Sequence, residues 1–181
     1  MRYMMKSGTL SNPKNGRMLA QIKSSFWGAR KTIFLSDDDK QYHTDINILG
    51  APAKKSGNVR LRIFTLNNNN GEVLMEAHPC YAKDDDPDIV GWPICRTPKI
   101  DHADLSIGDI GYLLVMHNNQ NYSLKDKIGT IILQIMHKGI SGGWTIDTTE
   151  KFPAQVLCGL FIFCRYIEQE NEFIVVCVRT D

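Results

Sequence analysis

Four side chains in the middle of the chain are of types that bind zinc: His78, Cys80, Cys95 and His102. Zinc takes four sulfur or nitrogen ligands, and the ligands of structural sites usually include a closely spaced pair such as Cys-x-x-Cys. No such pair occurs in this sequence, and Pro79 stands between the first histidine and the first cysteine. We therefore expect no metal site.

The acidic run at residues 84–88, Asp-Asp-Asp-Pro-Asp, is a second candidate for binding a cation. A hard cation such as Ca²⁺ takes six or more oxygen ligands, commonly from a spaced loop that contains glycine. This run has neither the spacing nor the glycine, so a solvated loop is the favoured interpretation. The sequence also lacks a glycine-rich phosphate loop, a nucleophile elbow and paired carboxylates in distinct environments. We predict a non-enzymatic protein without a cofactor.

Charge is distributed unevenly along the chain. Residues 1–62 contain 12 Lys and Arg against 4 Asp, a net charge of +8, whereas residues 63–181 contain 9 against 16 Asp and Glu, a net charge of −7. Such asymmetry indicates a basic surface for an anionic partner, either phosphate-bearing lipid or nucleic acid. The alternative is that the two halves neutralise each other in the fold and serve only solvation.

The length and composition are typical of a single globular domain over residues 1–181. With 181 residues, of which 43% are hydrophobic, the chain can bury about 70% of the surface of its unfolded state. The first eight residues are too polar for a signal peptide, and the longest apolar run is too short to cross a bilayer. The five cysteines are widely spread and odd in number, so we expect them to be reduced. A cytoplasmic location follows.

Most of the chain shows the features of short strands. The segments 17–24 and 31–35 predict a hairpin that turns at the Gly28 region, and in the segment 58–66 we expect Ile63 to face the core and Arg62 to face solvent. Further strands are predicted at 41–49, 72–78, 89–92, 99–104, 111–117, 128–137, 143–147 and 172–179. Residues 79–111 are rich in Pro, Asp and Gly, and their boundaries are the least defined.

One stretch, residues 153–168, predicts a helix that is apolar on all sides between Val156 and Cys164. Pro153 suits the first helical position, and Arg165 and Tyr166 would mark the point where the helix leaves the core. A helix without a polar face must be surrounded, and the abundant strands supply a sheet to surround it. The core-helix residues are expected to be Val156, Leu157, Leu160, Phe161 and Phe163.

Three blocks of the sequence resemble the tubby C-terminal domain superfamily, which includes LURP-one-related proteins and phospholipid scramblases. The segment 19–35 resembles the first tubby hairpin, residues 47–50 (Asn-Ile-Leu-Gly) resemble the Asn-Val-Leu-Gly block, and residues 131–163 resemble the two strands and core helix that end these domains. The resemblance implies a mostly β fold: a closed, roughly twelve-stranded barrel around a hydrophobic C-terminal helix.

Tubby domains bind phosphoinositide head groups through basic residues of the first part of the barrel, so the resemblance implies lipid binding. Two basic family positions fall on Gln21 and Lys23, and a third falls near residues 36–38 (Ser-Asp-Asp), where this chain is acidic instead of basic. The residues expected to form the head-group site, centred on Lys23 and Lys54, are Gln21, Lys23, Lys31, Lys54, Lys55, Arg17 and Arg30. The calcium loop and the palmitoylated cysteines of scramblases have no counterpart.

Two other functions remain open at this point. The chain could have kept the barrel and lost lipid binding, in which case it would be a protein-interaction or scaffold domain with an unknown protein partner. Nucleic-acid binding is less favoured, because no groove-reading element and no alternation of aromatic with basic residues is present. A transmembrane role is not expected.

Overall fold

The computed structural model describes residues 1–24, 29–48, 62–81, 100–117, 121–139 and 142–172. The described chain forms twelve strands and one helix. The elements, in chain order, are β1 (Arg2–Lys6), β2 (Thr9–Ser11), β3 (Met18–Ser24), β4 (Lys31–Leu35), β5 (Gln41–Ile48), β6 (Arg62–Asn68), β7 (Val73–Tyr81), β8 (Ile100–Ile107), β9 (Ile110–His117), β10 (Asn121–Lys125), β11 (Ile131–His137), β12 (Trp144–Thr148) and α1 (Ala154–Glu172).

The strands form a closed antiparallel barrel in which each strand pairs with its neighbour in sequence. The first and last strands close it, with Arg2 opposite Asp147 and Met5 opposite Trp144. Closure leaves no unpaired strand edge among the described strands, which removes the usual template for aggregation. The expected closed barrel around a C-terminal helix is therefore confirmed.

The helix lies inside the barrel, and its residues 156–164 are buried on all sides. Val156, Leu157, Leu160, Phe161 and Phe163, the expected core-helix residues, are all at most 8% exposed. Burial of one large aliphatic or aromatic side chain contributes about 1.5–3 kcal/mol, so these residues supply a large part of the apolar core. The helix thus lacks a polar face in this segment because the barrel surrounds it, as expected.

At its amino end the helix begins one residue later than predicted. The carbonyl of Pro153 accepts hydrogen bonds from the N–H groups of Val156 and Leu157, both at 3.1 Å. Pro153 itself precedes the helix, and Phe152 packs edge-on against Tyr112 with 6.4 Å between ring centroids. These contacts fix the angle at which the chain enters the barrel.

The carboxyl end of the helix lies four residues beyond the predicted end, and Arg165 and Tyr166 do not mark an exit from the core. Tyr166 is 1% exposed, and Glu168 and Glu170 are 6% and 7% exposed. The carboxylates are tolerated because Glu168 is paired with Arg165 and Glu170 with Arg62. A buried charge is stable only when paired, and the sequence pattern did not reveal these partners.

The orientation predicted for β6 is wrong in the residues that the structure describes. Phe64 and Leu66 are fully buried and face the helix, as shown by the ring contacts of Phe64 with Phe163 and Tyr166. Arg62 shares that face, because alternate residues of a strand point the same way, and Ile63 is on the outer face. The apolar character of Ile63 misled the prediction, while the pairing with Glu170 holds Arg62 on the inner side.

The structure has strands at the other predicted positions that it describes, and it has three strands that were not predicted. The hairpin of β3 and β4 is present, as are strands at the predicted positions of β5, β7, β8, β9, β11 and β12. The strands β1, β2 and β10 were not predicted. The predicted strand at 89–92, residues 58–61 and residues 173–179 lie outside the described residues, and residue 172 ends the helix.

Candidate functional site

The two ends of the barrel are distinguished by the helix that passes between them. We call the end where α1 begins the upper rim; it carries the turns that follow the even-numbered strands. The end where α1 finishes is the lower rim, where odd-numbered strands end and even-numbered strands begin. Asn171, near the end of the helix, donates a hydrogen bond to the carbonyl of Ile100 at 2.8 Å and so marks the lower rim.

A pocket of about 350 Å³ opens at the lower rim between the helix and the first strands. It is lined by Ser7 and Gly8 from the turn between β1 and β2, by Ser24 and Lys31 from the hairpin of β3 and β4, and by helix residues that include Arg165. None of the described lining residues is a carboxylate. We call this the mouth pocket.

Lys31 is directed to the mouth pocket by the phase of its strand. It is the first residue of β4 and shares a face with Ile33, which is fully buried. Because that face points into the barrel, the side chain at the strand's end projects over the opening. Lys31 makes no ion pair in the part of the chain that the structure describes, so its charge is available to a ligand.

Arg165 approaches the same pocket from the helix. Its guanidinium donates a hydrogen bond to the Glu168 carboxylate and lies over the ring of Trp144, 5.5 Å from the centroid. The Trp144 ring in turn packs edge-on against Phe161 at 4.9 Å. The guanidinium is therefore held in place by a carboxylate and a ring, and it retains N–H donors for an anion.

The turn between β1 and β2 forms one wall of the mouth pocket and depends on a glycine. Gly8 has φ +75°, and a Cβ at this position would lie 2.8 Å from the carbonyl oxygen of Ile22. The carbonyl of Gly8 also accepts the N–H of Ile22 at 2.7 Å. A side chain at position 8 would push the turn away from β3, so the glycine keeps this wall in place.

The remaining predicted site residues do not lie together. Those that the structure describes are on the outer face of β3, at the lower rim and at the upper rim. Gln21 and Lys23 lie on the outer face of β3, with the Lys23 ammonium 4.8 Å from the centre of the Phe34 ring. Arg30 also lies at the lower rim, 3.8 Å from Asp45. Lys54 and Lys55 lie outside the described residues.

Arg17 is at the upper rim and cannot join the others. It precedes β3, whereas Lys23 is near the other end of that seven-residue strand, a separation of roughly 20 Å. Its guanidinium pairs with Asp37 at 2.6 Å, and this hydrogen bond raises the pKa of Arg17 above its usual value.

Two cations at the lower rim were missed by the sequence prediction. Arg165 was interpreted as the polar exit of the helix, and Lys6 was not considered because β1 had not been recognised. Lys6 is exposed and opposite Thr9, which is itself opposite Gln21, so these side chains form a row on the outside of the barrel. The apolar residues 3–5 do not alternate with polar ones, so β1 had no clear two-residue period in the sequence.

Polar groups of the lower rim are connected to the helix by buried hydrogen bonds. The Tyr166 hydroxyl lies 2.8 Å from Thr44 Oγ1 and donates to the carbonyl of Ala29 at 2.6 Å, and burial raises the pKa of Tyr166 to about 12. Tyr122 donates to the Glu168 carboxylate at 3.1 Å. These contacts hold the last turns of the helix at a fixed position behind the mouth pocket.

The candidate zinc ligands form no comparable site in the described chain. His78 Nε2 is 2.5 Å from Glu76 Oε1, and Cys80 Sγ is 3.9 Å from Asp104 Oδ2. The described residues contain no group of three or more His, Cys, Asp or Glu side chains placed to hold a metal ion, and Cys95 lies outside them. Burial raises the pKa of the Cys158 thiol to about 12, so that thiol is a weak nucleophile.

Comparison of the chain with protein-family models, curated proteins and solved structures found no match. No helix in the described residues is both long and apolar enough to cross a membrane.

Proposed function

We propose that the protein is a non-enzymatic binding module whose lower rim binds the head groups of phosphoinositides or other anionic lipids. The observation that carries the proposal is the mouth pocket, where Lys31 and Arg165 meet without a carboxylate among the described lining residues. A phosphorylated head group is a dense anion, and it is held best by Lys and Arg on rigid elements. Lys31 projects from strand β4 of the barrel, and Arg165 projects from the helix.

Two further lysines strengthen the proposal. Lys6 and Lys23 are exposed on the outer face beside the pocket, and neither makes an ion pair in the described chain. Each cation near an anionic leaflet contributes about 1 kcal/mol. The pocket would take one head group while the flanking lysines contact its neighbours in the leaflet. In this proposal the protein acts at the membrane periphery, on the cytoplasmic side.

The resemblance to tubby-like domains belongs to the same proposal. A barrel filled by a C-terminal helix is the architecture that the resemblance implies, and the family's head-group residues include the position of Lys23. The proposed site is centred on Lys31 and Arg165 instead of Lys23 and Lys54, and Lys54 lies outside the described residues. It also adds Lys6 and leaves out Arg17.

Liposome flotation tests the proposal, with vesicles of neutral lipid alone and of neutral lipid containing phosphoinositide. We expect binding only to the second, and we expect Lys31→Glu to weaken it at least tenfold, since reversing one charge removes about 2 kcal/mol of attraction. Lys23→Ala should weaken it less. Lys14→Glu at the upper rim is the matched control and should bind like the wild type.

The proposal fails if the wild type does not float with phosphoinositide vesicles, or if Lys14→Glu weakens binding as much as Lys31→Glu does. Binding that survives at high salt would also contradict it, because exposed charges are screened within about 8–10 Å at physiological ionic strength.

A further inference from the structure

A second pocket, of about 460 Å³, opens at the upper rim, at the opposite end of the barrel from the mouth pocket. It lies between the first turn of the helix, the start of β5 and the turn that joins β6 to β7, which contribute Gln155, Gln41 and Asn69 respectively. Its volume falls within the range of small-molecule sites, about 300–1,000 Å³. Five of its eight described lining residues carry a carboxamide, so we call it the amide pocket.

A buried tyrosine lines the amide pocket with a hydroxyl that the fold does not use. Tyr42 lies on the inner face of β5, opposite Asn68, and is only 8% exposed. Its hydroxyl makes no hydrogen bond with any described residue, whereas the buried hydroxyls of Tyr122 and Tyr166 each have at least two partners. Buried polar groups in folded proteins are nearly always hydrogen-bonded. The Tyr42 hydroxyl therefore indicates that a molecule in the pocket supplies its partner.

Most of the carboxamides around this hydroxyl are unused as well. The side chains of Gln41, Asn69, Asn70 and Gln155 form no hydrogen bond within the described part of the chain. Each carboxamide offers two N–H donors and a carbonyl acceptor. Together they surround the pocket with groups that can both donate and accept hydrogen bonds.

The turn that carries two of these amides is held in place by a third. The side-chain oxygen of Asn68 accepts the backbone N–H groups of Asn70 and Glu72 at 2.9 and 3.0 Å. Its side-chain nitrogen donates to the Glu72 carboxylate at 2.9 Å. The amides of Asn69 and Asn70 thus project from an ordered turn, so a ligand has little backbone entropy to remove.

The charges beside the amide pocket favour an uncharged ligand. Lys40 is the one charged residue among the described lining residues, and its ammonium pairs with Asp38 at 3.1 Å. The hydrogen bond with Asp38 is the main cause that raises the pKa of Lys40, and Tyr42 also contributes, so the tyrosine hydroxyl lies near the ammonium. Asp38 and Glu72 would repel an anion, and Lys40 would repel a cation.

We propose that the amide pocket binds a neutral sugar. A sugar hydroxyl both donates and accepts hydrogen bonds, as the carboxamides and the Tyr42 hydroxyl require. The C–H face of a pyranose ring can pack against Leu74 and the ring of Tyr42, which supply the apolar part of the lining. A purely apolar ligand would instead leave the free amides and the buried hydroxyl without partners.

Saturation-transfer difference NMR of the full chain tests the inference, with the methyl glycosides of glucose, galactose, mannose and N-acetylglucosamine as probes. We expect saturation transfer to at least one of them. In a titration with that glycoside, Tyr42→Phe should raise the dissociation constant about fivefold, since it removes one hydrogen bond. Gln155→Ala, a second variant at the edge of the pocket, should also weaken binding.

Tyr3→Phe is the matched control, because it removes a tyrosine hydroxyl on β1, outside the amide pocket. It should bind the glycoside like the wild type, and circular dichroism of each variant verifies that the fold is kept. Lys31→Glu should also leave sugar binding unchanged, so failure of the lipid proposal and failure of this one are distinguishable.

Three results would overturn the inference. The first is the absence of saturation transfer to all four glycosides. The second is equal binding by the wild type and Tyr42→Phe. The third is tighter binding of glucuronic acid or of a glucose phosphate than of the neutral glycosides, which would mean that the pocket selects an anion.

Discussion

Gly159 provides the sharpest test of how tightly the barrel surrounds its helix. It is the one glycine in the described helix, and a Cβ at this position would lie 2.6 Å from Cε of Met75 and 3.0 Å from Cδ2 of Leu66. Both neighbours are buried, at 1% and 0% exposed. The side chains of Met75 and Leu66 therefore pack so closely on the helix that a Cβ at position 159 would require at least one of them to move.

Two effects of Gly159→Ala oppose each other. Alanine in a helix interior is favoured over glycine by about 1 kcal/mol, whereas forcing an extra methyl group into a packed core costs about 1–3 kcal/mol. The end of the Met75 side chain is flexible, but it is enclosed by the barrel and cannot move away freely. We expect the steric cost to exceed the gain, so that Gly159→Ala lowers the free energy of unfolding by about 1 kcal/mol.

Urea unfolding, followed by tryptophan fluorescence, measures this in a double-mutant cycle with Met75→Ala. That change alone should cost about 2–5 kcal/mol, but it removes the closest neighbour of the new methyl group. In its background we expect Gly159→Ala to be neutral or stabilising. Gln169→Ala and Gln169→Gly, at an exposed position of the same helix, measure the propensity difference directly.

A Gly159→Ala variant that is more stable than the wild type by the difference between the Gln169 variants would refute the reasoning. That result would mean that the barrel yields without cost around the helix. The same conclusion would follow if the effect of Gly159→Ala did not depend on Met75.

Three further outcomes follow from the buried groups of the helix. Tyr166→Phe should lower the free energy of unfolding by about 1–2 kcal/mol, because it removes a hydroxyl that binds Thr44 and a buried carbonyl; chemical unfolding at neutral pH measures this, and an unchanged midpoint would contradict it. Since the pKa of Tyr166 is about 12 in the fold and about 10 when unfolded, its stabilising effect is complete below pH 10 and is lost as the pH rises towards 12. Between pH 9 and 11 the free energy of unfolding should therefore fall by about 1.4 kcal/mol more in the wild type than in Tyr166→Phe. Equal falls in the two proteins would contradict the assignment of this pH dependence to Tyr166. In the native protein, iodoacetamide should label Cys80 well before Cys158 and Cys164, which are buried, and peptide mapping that finds equal labelling would show that the barrel opens.

The apolar helix and the strand alternation made the main architecture predictable from the sequence. A helix with no polar face requires a surrounding layer, and the strands were the only elements available to form it. The omitted strands had weaker signals: β2 has only three residues, too few to show a period, whereas Tyr122 and Leu124 of β10 do alternate with polar residues and could have been recognised.

The candidate site was less predictable from the sequence. It depends on which face of a strand each side chain lies on, and on ion-pair partners that are distant in the sequence. Lys31 could have been assigned to the opening from its two-residue spacing to Ile33, and Arg17 could have been excluded by the length of β3. The burial of Glu170 could not have been predicted, because its partner Arg62 is 108 residues away in the sequence. Local patterns contain no signal for such a pair, and the same gap led to the wrong face for β6.

The positive charge in the first part of the chain is paired to different extents at the two rims. At the upper rim, Arg2, Arg17 and Lys40 each have an aspartate partner. At the lower rim, Glu168 and Glu170 are turned inward and pair with Arg165 and Arg62, while Lys6, Lys23 and Lys31 make no ion pair with any described residue. Burying Glu168 and Glu170 therefore does more than end the helix: it removes the anions that would otherwise compete for Lys6, Lys23 and Lys31. A head group at the mouth pocket would meet Lys31, and its neighbours in the leaflet would meet Lys6 and Lys23, without displacing a carboxylate from these lysines. The attraction is therefore not offset by the cost of breaking an existing pair.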